Sequence, residues 1–115
     1  MNKLSRISEM LSLSADCHDW GIENSNGSRL VEFIEFAENL VPENTWELEG
    51  VIELVMESFE EVSERQQVNT ALRDRVVQLV RARASDFPVT LAHWRSNYSS
   101  ANWRFMAIIH EALGA

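Results

Sequence analysis

The chain has 115 residues, of which 45% are hydrophobic and 24% charged, and it carries a formal net charge of −8 at neutral pH. That length suits one folded domain over residues 1–115, and four Trp with five Phe supply enough apolar area to argue against wholesale disorder. A single Cys17, a first stretch interrupted by Arg6, Glu9 and several serines, and no apolar run near the ~20 residues that cross a bilayer point to a cytoplasmic protein without a membrane anchor.

Leu4, Ile7, Met10 and Leu11 recur at helical spacing, so Lys3 to Leu13 reads as a first amphipathic helix. Residues 14–27 hold two glycines among Ser, Asn and Asp with neither helical nor strand period, which predicts a loop. Ser28 is a suitable N-cap for a second helix, whose apolar face is Leu30, Phe33, Ile34, Ala37, Leu40 and Val41 and which must end by Pro42.

Asn44 with Glu47 three residues later predicts the start of a third helix, whose seam is Leu48, Val51, Ile52, Val55, Phe59 and Val62. Asn69 or Thr70 starts a fourth, with Leu72, Val76, Leu79 and Val80 inward, and the third and fourth are expected to form an antiparallel hairpin. Arg81 and Arg83 suit the negative dipole end of the fourth helix. Pro88 opens a shorter helix carrying Leu91, Trp94 and Tyr98, and Ser99-Ser100 caps a last one that ends at Gly114. No stretch alternates well enough to be a strand. The fold class is therefore all-α: a single compact bundle of five to six helices with antiparallel neighbours and no sheet.

Charge is unevenly distributed. Leu30 to Glu64 holds 11 carboxylates and neither Lys nor Arg, whereas Arg65 to Ala115 sums to +4. On a helical wheel Glu49, Glu53, Glu57, Glu60, Glu61 and Glu64 fall within about 120°, almost opposite the seam of the third helix. Four like-charge i, i+4 pairs along that stripe cost roughly 0.2–0.5 kcal/mol each, so the stripe needs compensation from arginines of the same chain or from a basic partner.

Three arrangements could carry chemistry. A di-iron bundle needs Glu-x-x-His on facing helices, which this chain lacks, and the stripe points away from the apolar seam. Asp16, Cys17, His18 and Asp19 are ligand-type side chains without paired zinc spacing, and Cys17 with His93 or His110 is a weak nucleophile–base combination. The run from His93 to Phe105 repeats Trp-Arg around Tyr98, a composition found at protein interfaces and on single-stranded nucleic acid. No cofactor or metal is expected.

The expectation that follows is a non-enzymatic, acidic protein-binding domain that neutralises or sequesters a basic partner, such as an immunity protein or antitoxin-like inhibitor facing a toxin or nuclease. Its partner-binding residues are Glu49, Glu53, Glu57, Glu60, Glu61 and Glu64, with Asp19, and with Trp20 or another exposed aromatic as apolar anchor. The alternatives are a regulator touching nucleic acid through Arg73, Arg75, Arg81, Arg95 and Arg104, and an oligomeric subunit that buries its last helix, apolar on every side, against a copy.

Overall fold

Each helix start that the sequence marks with asparagine is capped by it. In the computed structural model, which describes residues 3–15, 19–98 and 103–114, the Asn44 side chain accepts from the N–H groups of Trp46 and Glu47, and Asn69 from those of Ala71 and Leu72. The helices are α1 (Ser5–Leu11), α2 (Trp20–Glu23), α3 (Leu30–Asn39), α4 (Thr45–Arg65), α5 (Thr70–Arg83), α6 (Pro88–Asn97) and α7 (Phe105–Leu113). Two 3-10 turns, Gly27–Arg29 and Ala84–Asp86, lead into α3 and α6, and no strand occurs among the described residues.

The all-α expectation holds, and the described residues form one helix more than the upper count. The addition is α2, inside the stretch expected to be a loop. Four residues are too few to show a period, and this turn is held by tertiary contacts instead. Trp20 is buried and donates its indole N–H to Ser8 Oγ at 2.8 Å, while the Asp19 N–H is held by the Glu23 carboxylate at 3.0 Å. The cap near residue 28 also shifts. Asn26 receives the Ser28 N–H and begins the 3-10 turn, and α3 starts only at Leu30.

Helix α4 is the hub. It packs against α2, α3, α6, α7 and both 3-10 turns, and Leu54, Met56 and Ser58, which lie off its predicted seam, are as buried as the seam itself. Helix α5 packs mainly on α7 and α3, so the expected α4–α5 hairpin is not the principal pairing. A radius of gyration of 13.2 Å matches the ~13 Å expected of a compact chain of this length. Helix α7 turns Phe105, Met106, Ile108, Ile109 and Ala112 into the core and leaves Ala107, His110 and Glu111 outside. Apart from Ala107, its apolar residues are thus buried or half-buried within the chain.

Arg81 and Arg83 lie in the last turn of α5, as expected, and their hydrogen bonds reach the ends of two other helices. Arg83 donates to the carbonyls of Ala37 and Leu40, both at 2.8 Å, and so closes the C-terminal end of α3. Arg81 reaches the carbonyls of Glu111 and Ala112 near the end of α7. Each guanidinium satisfies carbonyls that their own helix leaves unpaired.

Candidate functional site

The carboxylate stripe of α4 is not the solvent-facing surface its wheel predicts. Because α4 is enclosed by other helices, the side opposite its seam is covered as well. Glu49 is only 8% exposed and accepts from the N–H groups of Val89 and Thr90 at 3.1 and 2.7 Å, which caps α6. Glu60, 5% exposed, accepts from the N–H of Phe105 at 3.2 Å and pairs with Arg104 at 3.2 Å, which caps α7. Glu61 is half-buried and lies 3.6 Å from Arg65, a cation that α4 gains by running one turn beyond its seam. Glu64 is exposed at the far end. Glu49 and Glu60 are therefore structural anchors, and Trp20 is a core residue rather than an exposed one. At the start of the same helix the buried Glu47 pairs with Arg6 at 2.7 Å and accepts the Glu43 N–H, and the Arg6 contact holds its carboxyl below the usual range.

Between the two anchored ends, Glu53 and Glu57 are half-buried, and no ion pair reaches either among the described residues. Burial, with Asp19 and Glu49 nearby, raises the Glu53 carboxyl, and His93 opposes the shift. Burial, then Glu53 and Glu60, push Glu57 up to about 7. The Tyr98 phenol is raised by its own burial and by both carboxylates. Gly21 makes room for this arrangement, because a Cβ there would lie 2.6 Å from Glu53 Oε1.

Asp19, Glu49 and Glu53 converge on one notch of about 250 Å³, walled by Trp20, Trp46, Gly50 and Val89. Four of the predicted site residues thus meet, with Trp20 as apolar wall, while Glu57, Glu60, Glu61 and Glu64 lie further along α4. Trp46, Glu49 and Val89 also line an adjoining groove of about 640 Å³, bordered by Pro42, Glu43, Asp86 and Pro88. That volume falls in the range of ordinary binding pockets. Trp46 is 48% exposed and Val89 66% exposed, and Val41 beside Pro42 is more open still. Trp46 is the exposed aromatic that reading the chain did not pick out. The signal was present, since its position on the wheel falls among the glutamates and opposite the seam.

The arginines proposed for nucleic acid are mostly engaged. Arg75 pairs with Glu38 at 2.6 Å, Arg73 with Glu111, Arg104 with Glu60, and Arg81 with α7 carbonyls, while Arg95 is exposed. Trp94 is buried, and Trp103 packs against Tyr98 with tilted rings whose centroids are 4.8 Å apart. Asp16, Cys17 and His18 lie outside the described residues, as does the Ser99-Ser100 cap. Among the described residues no cluster of three ligand-type side chains could hold a metal ion, and no helix is long and apolar enough to cross a membrane. Comparison with known proteins found no matching family model, no matching curated protein and no matching solved structure.

Proposed function

We propose that this chain is a non-catalytic, acidic binding domain that holds a basic protein partner, the mode of action of an immunity protein or comparable inhibitor. The observation that carries this reading is the pairing, at one place, of carboxylates that make no ion pair among the described residues with the exposed apolar side chains Trp46 and Val89. Asp19 and Glu53 border the notch, and Trp46 and Val89 stand between it and the larger groove. A desolvated aromatic flanked by polar groups is the usual anatomy of an interface hot spot, and the acidic surroundings would steer a cationic partner toward it. The docking surface lies at the N-terminal ends of α4 and α6, rather than along the whole of α4.

Immobilised wild-type protein should retain a basic protein from an extract of its source cell, and retention should weaken as salt rises. Trp46→Ala and Asp19→Asn, both at exposed positions, should lower the affinity of the isolated partner at least tenfold while leaving the circular dichroism spectrum unchanged. Equal affinity for both variants and wild type, measured by calorimetry, would remove the proposed surface.

A further inference from the structure

The indole of Trp46 already carries a cation. Lys3 Nζ lies 4.7 Å from its ring centroid. The backbone that delivers this lysine is pinned, since the Lys3 carbonyl accepts from Asn44 Nδ2 at 3.2 Å. Next to it, Leu4 packs where a Cβ on Gly50 would come within 3.0 Å of its Cδ2, and Leu4 also lines the notch. The ammonium itself is held less firmly. Lys3 is exposed, sits on a flexible four-carbon stem, and makes no ion pair among the described residues. An ammonium over an exposed indole is a weak contact that a better-placed cation can displace.

We infer that Lys3 is a built-in competitor for the docking site: it covers the Trp46 indole in the free protein and must swing away when a lysine or arginine side chain of the partner docks there. The inference rests on the reading of the notch and groove as the partner's seat. It adds a self-masking contact that weakens binding of incomplete partners, because only a ligand that also fills the groove or meets Asp19 and Glu53 recovers what is lost by displacing Lys3.

The test is calorimetric titration, at low salt, of full-length protein with an N-acetylated, C-amidated hexapeptide of alternating lysine and glycine. Removing a contact of this strength should tighten binding by Lys3→Ala about two- to fivefold. Lys3→Arg, which can still stack on the indole, should bind as wild type does. Arg65→Gln makes the same change in net charge about 28 Å along α4 from Trp46, and it should give no such gain. Trp46→Ala should bind weakly, and adding Lys3→Ala to it should recover nothing. If Trp46→Ala weakens binding while Lys3→Ala and Arg65→Gln are alike, the masking role is overturned and the docking site stands. If Trp46→Ala binds as wild type, or no variant binds, both are overturned.

Discussion

At the scale of single residues, the informative feature is that carboxylates on one helix have different fates according to what faces them. Glu49 and Glu60 meet backbone N–H groups, whereas Glu53 and Glu57 meet mostly other acids. Glu57, pushed up to about 7, binds its proton more tightly folded than unfolded. Its sign follows from linkage: between the unfolded carboxylate range and pH 7 the folded state holds the extra proton, so stability falls as pH rises through that window. Above it the full penalty is present. Glu57→Gln should therefore stabilise the protein at pH 8 and change little at pH 4. Glu57 is only half-buried, so solvent screening limits the gain to about 1 kcal/mol. Urea midpoints at the two pH values check it, and a gain of equal size at both would show that ionisation is not the cause.

At the scale of helices, charged side chains serve as caps for helices other than their own. Glu49 closes the start of α6 and Glu60 the start of α7, while Arg83 closes the end of α3. Glu49→Ala strips acceptors from the N–H groups of Val89 and Thr90, and should cost about 1–2 kcal/mol. Glu49→Gln, with one acceptor oxygen left, should cost less. Equal losses for the two, read from denaturant midpoints, would mean that packing rather than capping sets the effect. These roles explain which parts of the fold could be read from the chain. The seams and asparagine caps of α4 and α5 were legible because both helices are long enough to display their period. Helix α2 was not, because a four-residue turn anchored by the Trp20–Ser8 hydrogen bond leaves no periodic trace. The fate of the Glu stripe was illegible for another reason. A wheel reports which side of a helix faces away from its own seam, but not which other helices cover that side. Of the site, Asp19, Glu49 and Glu53 were legible as acids, and their meeting beside Trp46 depends on how α2 and α6 pack against α4.

At the scale of the molecule, the acidic middle and basic end of the chain are folded into one another. Arg75 pairs with Glu38 and Arg104 with Glu60, joining the two halves at 2.6 and 3.2 Å. A net charge of −8 remains, and part of it sits where Asp19, Glu53 and Glu57, without an ion pair among the described residues, approach α2 and α6. Two accounts of salt dependence then differ. If repulsion is spread over the whole surface, raising salt from 0.01 to 0.15 M stabilises every variant alike, as the Debye length shrinks from about 30 to about 8 Å. If it resides in this cluster, the rise in thermal midpoint at pH 8 should largely disappear in the Glu53→Gln/Glu57→Gln double variant. The cluster predicts the second outcome, because Glu53 and Glu57 face other carboxylates from half-buried positions, whereas Glu32, Glu38 and Glu43 on the surface lie beside Arg29, Arg75 and Arg6. A control with the same change in charge, Glu9→Gln/Glu64→Gln, removes two exposed acids that are not among the groups raising Glu53 or Glu57 and should retain the wild-type response. A double variant at Glu53 and Glu57 that kept the full salt response would assign the repulsion to the surface as a whole.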